Sequence, residues 1–400
     1  MNRFTKGIAL LLVLLISLTL FGCDTARDDR RWFSADAYKG AFSDTGYFYL
    51  AEGYLYYADF AAGVNISLCP KVGCKHNNDL TCEGWVGSAE EQMFCYGDKL
   101  YYLVYDMYGT HLYRRNLDGT GLATVATLCE DYLKELENCY IKFEKKVVSG
   151  GYLYYTAQVC SYESVNNELT SKYLYTLLMQ LDLKTGKEKT LLKRDNGISL
   201  VAAKGSRIRY AVGDSIGEVD ISDLSALKEA YKKTMIQMVE LHTVTGKEKV
   251  LFEKSKYDYF TLESYSGNKL IYLTYESEDD YTGIYRVYDI STGKDAFFYE
   301  GAIENLIAGR YSLSKDPHDP KQYVLLDLEN GKELPCHSFY DSGCVYRLVS
   351  ASDEAVILRR YPRPENGVGN ITEQVYSYVP VAALEDGLQE TDFIDYYIER

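Results

Sequence analysis

One short run and its copies constrain the fold of this chain more than any other feature. Gly53-Tyr-Leu-Tyr-Tyr57 returns with variation as Asp98-Lys-Leu-Tyr-Tyr102, Gly151-Tyr-Leu-Tyr-Tyr155, Ser206-Arg-Ile-Arg-Tyr210, Asn268-Lys-Leu-Ile-Tyr272, Gly309-Arg-Tyr-Ser-Leu313 and the degenerate Glu354-Ala-Val-Ile-Leu358. The intervals are 45, 53, 55, 62, 41 and 45 residues. A period of about 50 residues is the length of four short antiparallel strands with their turns, the unit of a β-propeller blade. Neighbouring residues on a strand face opposite ways, so Leu55 and Tyr57 point to one side and Tyr56 to the other. A run apolar on both sides suits a strand covered by another blade on each face. The 40 tyrosines of the 400 residues are thereby read mainly as packing, with an aromatic platform for sugar rings as the functional alternative.

Each unit closes with a second signature. Asp182-Leu-Lys-Thr-Gly186, His242-Thr-Val-Thr-Gly246, Asp289-Ile-Ser-Thr-Gly293 and Asp327-Leu-Glu-Asn-Gly331 share a glycine four residues on, and Asn116 to Gly121 is a looser copy. Glycine supplies the positive φ of a tight turn, and the leading side chain can bond the turn's own amides. Seven units predict an all-β, seven-bladed propeller. Six or eight blades stay open because the Gly309 and Glu354 units are weak and the first unit shows no obvious fourth strand. The run Thr391 to Tyr397 is a candidate for that strand, closing the ring. Helical spacing in Ser222 to Lys233, with Leu224, Leu227 and Tyr231 on one face, and in Cys129 to Tyr140 marks two insertions on blades.

The first 22 residues read as a leader, with Arg3 and Lys6 ahead of an apolar run from Ile8 to Phe21 that has the length of a signal-peptide core. It ends in Leu20-Phe21-Gly22-Cys23, similar to a bacterial lipobox except for the bulky Phe21. Cys23 is then the lipid-attachment residue, 23–34 a polar tether, and 35–400 a single propeller domain on the extracytoplasmic face of the cell membrane. An ordinary secretory signal is the alternative. Removing the leader takes two basic and no acidic residues from 43 and 58, leaving 41 against 58, a charge of −17. No Lys/Arg cluster accompanies that acidity, which excludes nucleic acid as the expected partner. A monomer is expected.

The densest chemical constellation is Cys69, Cys74, His76 and Cys82, within fourteen residues. Disulfides stapling an exported loop are the first reading, with Cys95 as a further member and Cys129 with Cys139 and Cys336 with Cys344 as local pairs. A Cys3His zinc site is the second, although C-x4-C-x-H-x5-C is not a common zinc spacing. Free thiols in a reducing habitat are the third. The lipobox, the pair Gly46-Tyr-Phe-Tyr-Leu50 and Gly53-Tyr-Leu-Tyr-Tyr57, and the Leu68-Cys-Pro to Cys82 loop together resemble lipoproteins of monoderm anaerobic bacteria, known as TolB-like or domain-of-unknown-function β-propellers. The resemblance spans essentially the whole mature chain. It implies a propeller at the cell surface and carries over no catalytic residue.

Other signals are weaker. Gly213-Asp-Ser215-Ile-Gly217 matches a nucleophile elbow, yet Glu218-Val-Asp-Ile reads as a returning strand where a helix is needed. His242 stands where other repeats have a turn Asp. Asp279, Asp280 and the Asp316 to Asp319 run lack the order of a calcium loop and read as solvated turns. The expected function is a non-enzymatic binding, scaffold or sensor module for an envelope protein, peptide or glycan. The alternatives are an envelope hydrolase or lyase with catalytic residues dispersed over several blades, and metal or redox sensing through the 69–82 loop.

Overall fold

A computed structural model of the chain describes residues 33–34, 40–76, 81–87, 89–106, 109–135, 138–165, 168–213, 226, 229–230, 233–255, 262–265, 268–274, 284–300, 310–315, 323–329, 331–336, 344–352, 355–362, 374–384 and 394–399. The leader, Cys23, Ser215, Asp279, Asp280 and Asp316 to Asp319 lie outside these, as do Leu224, Leu227 and Tyr231. After the two-residue strand β1 (Phe33–Ser34), seven antiparallel sheets follow one another along the chain. Blade I holds β2 (Ala41–Ser43), β3 (Gly46–Ala51), β4 (Tyr54–Asp59) and β5 (Val64–Ser67). Blade II holds β6 (Ala89–Tyr96), β7 (Lys99–Asp106), β8 (Gly109–Asn116) and β9 (Ala123–Leu128). Blade III holds β10 (Cys139–Ser149), β11 (Tyr152–Val165), β12 (Glu168–Asp182) and β13 (Glu188–Arg194). Blade IV holds β14 (Ile198–Lys204), β15 (Arg207–Gly213), β16 (Met235–His242) and β17 (Glu248–Ser255). Blade V holds β18 (Leu262–Tyr265), β19 (Lys269–Thr274), β20 (Ile284–Asp289) and β21 (Lys294–Glu300). Blade VI shows three described strands, β22 (Tyr311–Lys315), β23 (Tyr323–Asp327) and β24 (Lys332–Cys336). Blade VII holds β25 (Cys344–Ala351), β26 (Ala355–Pro362), β27 (Gln374–Pro380) and β28 (Ile394–Glu399). The fold is a seven-bladed β-propeller.

Seven hydrophobic cores hold the ring, one between each pair of neighbouring blades. Phe48 and Leu55 of blade I meet Met93, Leu100 and Tyr102 of blade II. On the other side of the same strand, Tyr101 joins Leu153 and Tyr155 of blade III. Tyr154 then turns to Ile208 and Tyr210 of blade IV, and Met238 and Phe252 to Leu270 and Tyr272 of blade V. Ile271 packs on Val324 and Leu326 of blade VI, and Tyr311 and Leu325 on Tyr346 and Val356 of blade VII. Ile357 and Tyr378 of blade VII return to Tyr47 and Tyr49 of blade I, which closes the ring. The Leu-Tyr-Tyr pattern is thus the alternation of a strand buried on both faces.

The turns behave as their residues predict. Asp182 Oδ1 accepts from the amides of Lys184 and Thr185 at 2.8 and 3.0 Å, and the Gly186 amide donates to the Asp182 carbonyl at 2.8 Å. Asp289 does the same for Ser291 and Thr292. His242 substitutes, its Nδ1 facing the Val244 amide at 3.3 Å. In each case the next residue locks the turn onto its blade: Leu183, Thr243, Ile290 and Leu328 donate to the carbonyls of Gly151, Ser206, Asn268 and Arg310 at 2.8 to 3.1 Å. The equivalent bond in blade I runs from Phe60 to Thr45, 3.2 Å. This corrects the equivalence of the first repeat. The strand matching the other copies is Gly46–Ala51, and Gly53-Tyr-Leu-Tyr-Tyr57 is the third strand of its blade. It also shows an unrecognised turn, Asp59-Phe-Ala-Ala-Gly63, where Asp59 Oδ1 accepts from Ala61 and Ala62. Beyond it lies β5, the fourth strand of blade I. The C-terminal β28 pairs with β27 and completes its own blade, so the ring closes by packing and not by strand exchange.

Because the strands alternate in direction, first-to-second and third-to-fourth connections emerge on one face, and second-to-third connections and blade-to-blade crossings on the other. The first face carries the tight glycine turns. Within and between blades I–V, described strands separated by seven residues or more in the chain (across 68–88, 129–138, 214–234 and 275–283) end and begin at the second face. The described strands that flank 316–322, 337–343 and 363–373 also end and begin at that face, whereas β27 and β28, which flank 381–393, do so at the first. Both expected insertions belong to the second face. The one in 129–138 contains helix α1 (Glu130–Glu135), and the described residues 226, 229–230 and 233 of the other are helical.

Candidate metal centre

The longest crossing, from blade I to blade II, brings the cysteine loop back on itself. Cys69 Sγ, Cys74 Sγ, Cys82 Sγ and a ring nitrogen of His76 all lie within 4.8 Å of one another. The three sulfurs are free thiols, and His76 Nδ1 is 3.4 Å from Cys82 Sγ. Two residues supply the reversal with left-handed backbone, Gly73 (φ 74°) and His76 (φ 51°). Partial burial pushes the Cys69 thiol up, but the amides of Lys71 and Gly84 and the two neighbouring thiols outweigh it and hold Cys69 below the ordinary thiol range. Burial and the adjacent thiols push Cys82 up to about 11.

The loop is gripped at both ends from inside the ring. Arg115, on the third strand of blade II, is 1% exposed. Its Nη1 donates to the carbonyls of Leu68 and Glu83 at 3.4 and 3.0 Å, the residues flanking Cys69 and Cys82. Its Nε and Nη2 both donate to Tyr102 Oη, at 3.2 and 2.7 Å. The exit of the loop is stitched to blade I by Leu55 N to Gly84 O and Val86 N to Gly53 O, both 2.9 Å. Between these bonds the Trp85 ring lies directly on Gly53, where a Cβ would sit 2.4 Å from it, and edge-on to Tyr54. Gly84 is more mildly constrained, its missing Cβ falling 3.3 Å from Cys69 Cβ and 3.5 Å from Cys82 Sγ.

The remaining cysteines lie elsewhere. Cys95 is in β6, and burial pushes its thiol up to about 12. Cys129 and Cys139 are both free, and Cys129, at the head of α1, is buried with Sγ 3.5 Å from Tyr155 Oη. Cys336 and Cys344 end β24 and begin β25, and their side chains fall outside the described set. Sequence reasoning missed Arg115, Tyr102 and Trp85 as partners of the loop, since nothing in the pattern of a strand marks a lone arginine as buried.

Among the described residues, tyrosine–carboxylate pairs with displaced tyrosine pKa values recur with the blades. Tyr155 donates to Glu188, Tyr210 to Glu248 at 2.8 Å and Tyr272 to Asp295 at 2.5 Å. Each acid stands two residues after a turn glycine, in Thr-Gly-Lys-Glu188, Thr-Gly-Lys-Glu248 and Thr-Gly-Lys-Asp295, a signal that was present in the sequence. Burial raises Tyr155, Tyr210 and Glu188. The acids also reach the preceding blade: Glu188 accepts from the Cys129 amide at 2.8 Å, and Arg194 bonds both oxygens of Glu248 at 3.1 Å. These are latches between blades.

No known protein family matches the chain, and no curated protein matches it. Solved structures do. A puromycin hydrolase S511A mutant complexed with PGG is similar over 95% of this chain and 56% of its own, at 10% identity and a TM-score of 0.49. TolB from Acinetobacter baumannii is similar over 90% of this chain and 78% of its own, at 12% identity and a TM-score of 0.36. An oligogalacturonate lyase in complex with manganese is similar over 78% and 74%, at 13% identity and a TM-score of 0.41. What this chain shares with them is the β-propeller fold.

Proposed function

We propose that the protein is a lipid-anchored, non-enzymatic binding or scaffold module that presents one propeller face to an envelope protein, peptide or glycan. The observation that carries this reading is the unequal dressing of the two faces, with most of the long connections on one and, apart from 381–393, tight turns on the other. Binding residues of rigid scaffolds sit on such connections. Blade III adds a raised hairpin there: β11 and β12 run to 14 and 15 residues. Tyr140 and Tyr162 stack on it at 4.6 Å, with Tyr162 and Tyr173 partly exposed.

The chain's own path supports the orientation. β1 pairs antiparallel with β14, the first strand of blade IV, matching Phe33 with Ala203 and Ser34 with Ala202. Since β14 runs toward the tight 205–206 turn, the chain arrives at Phe33 from the tight-turn face. A lipid on Cys23, ten residues earlier, lies within about 35 Å of contour length. The tight-turn face then faces the membrane and the long connections face outward.

A photo-crosslinking side chain placed on intact cells at Val72 or Tyr162, on the outward face, is expected to capture a partner. The same probe at Val244, in a tight turn and 77% exposed, is expected not to. Equal capture from both faces, or capture from Val244 alone, overturns the reading. Cys23→Ala is expected to release the protein from the membrane fraction, and retention contradicts the lipid anchor.

A further inference from the structure

We propose that Cys69, Cys74, His76 and Cys82 form a closed, structural zinc site that clamps the blade I to blade II crossing. Three observations, independent of the binding role above, converge on it. First, a tetrahedral centre with Zn–S near 2.3 Å places its sulfurs about 3.8 Å apart. Ligand atoms already within 4.8 Å of one another need to close by about 1 Å or less to share one ion. Two disulfides cannot be made from this group, because it holds three sulfurs and one imidazole. A single disulfide leaves the third thiol and His76 turned inward with no task. Soft thiolates with one imidazole in four-fold arrangement select zinc over the oxygen-seeking cations.

Second, the charges balance. Arg115 is buried, and its bonds run to two carbonyls and one phenol, with no carboxylate partner among the described residues. A buried cation without a counter-charge is costly. Zinc bound by three thiolates and a neutral imidazole carries one net negative charge, and its first and last thiolates belong to the residues adjacent to Leu68 and Glu83, whose carbonyls Arg115 holds. Binding releases the three thiol protons to solvent. Third, the surroundings are built for a fixed loop. Gly84 leaves room beside Cys69 and Cys82, Arg115 fixes both loop ends, and Trp85 is seated on Gly53. With four protein ligands there is no open position for water or substrate, so the ion is a staple and not a catalyst.

The test uses the full-length chain in detergent, purified with a thiol reductant and without chelator, on a Trp32→Phe background so that Trp85 is the remaining tryptophan. The expected result is about one zinc per chain, replaceable by cobalt with the charge-transfer and visible bands of a tetrahedral thiolate centre. Cys74→Ser or His76→Ala should cut the metal content to about one-tenth or less under the same purification. Stripping the metal should shift Trp85 emission, and adding zinc should restore it. A wild-type protein that holds no zinc and gives no cobalt bands overturns the proposal whether or not the variants fold. So does a disulfide within the loop in protein alkylated at lysis. Loss of metal without any change at Trp85 overturns the clamping role.

Discussion

Replacing Arg115 by Met removes the guanidinium that ties the cysteine loop to the ring and keeps most of its apolar stem. Three acceptors lose their donor: the buried Leu68 carbonyl and Tyr102 hydroxyl and the partly buried Glu83 carbonyl. Counting one charged bond for each of the three acceptors, at roughly 1.5 to 3 kcal/mol, the gross loss is about 5 to 9 kcal/mol. Relief from burying the guanidinium offsets several kcal/mol of this. The net expectation is a destabilisation of about 3 kcal/mol. For a propeller of this length, with an unfolding entropy of about 2.1 cal/mol/K per residue, that is a fall in Tm of roughly 4 °C. Arg115→Lys, whose single ammonium cannot span all three acceptors, should fall about halfway. Thermal unfolding followed by circular dichroism measures the loss, and Trp85 emission on the Trp32→Phe background reports whether the loop moves. An Arg115→Met protein melting within about 1 °C of the parent, with Trp85 unchanged, would refute the clasp.

Three further perturbations test the latches and the ring. Burial, opposed more weakly by Tyr155 and the Cys129 amide, holds Glu188 above the usual 4.5. The folded protein therefore keeps this proton longer than the unfolded chain, so its contribution is full below pH 4.5 and declines as pH rises toward the folded value. Glu188→Gln should flatten that decline, by at most about 1.4 kcal/mol per pH unit, in denaturant titrations across the window. An unchanged pH slope contradicts the assignment. Tyr210→Phe deletes the bond to Glu248 but leaves Arg194 on both carboxylate oxygens, so a cost of about 1 to 2 kcal/mol is expected, against roughly 3 to 5 for Tyr210→Ala, which also empties the core. Equal losses for the two would show the hydroxyl to be the whole contribution. Truncation after Ser350 removes Val356, Leu358 and Val379 from one inter-blade core and Ile357 and Tyr378 from the next. It should yield an aggregating, protease-sensitive chain, whereas a soluble, resistant product would disprove closure by packing.

Much of the fold was legible because it is local and repeated. Leu-Tyr-Tyr alternation identifies a strand covered on both faces without knowing what covers it, and seven copies at blade length identify the ring. The glycine turns were readable down to His242, whose ring takes the place of an aspartate carboxylate. The first blade misled for the same reason: two tyrosine-rich strands stand in tandem, and only the bond from Phe60 to Thr45 shows which of them matches the other repeats. Its fourth strand was hidden because Ala61 and Ala62 stand between Asp59 and Gly63 where blades III, V and VI carry Lys-Thr, Ser-Thr and Glu-Asn. In the cysteine loop the ligand types were visible, and their unfamiliar spacing argued against a metal. Spacing, however, counts residues along the chain and not distance in space.

The amino-acid sequence by itself determined the class of fold, the repeat period, the turn chemistry and the residues of the cysteine loop, and left six to eight blades open where the structure has seven. Each of these depends on neighbours within one strand or one turn, where period and residue type record the geometry directly. Tertiary structure decided which face carries the long connections, how the last blade meets the first, and that three thiols and one imidazole share a few ångströms. It also placed Arg115 against a loop ending 32 residues before it and Glu188 against the end of the preceding blade. Such contacts join residues far apart in the chain. They are set by blade packing, which leaves no periodic trace at either residue.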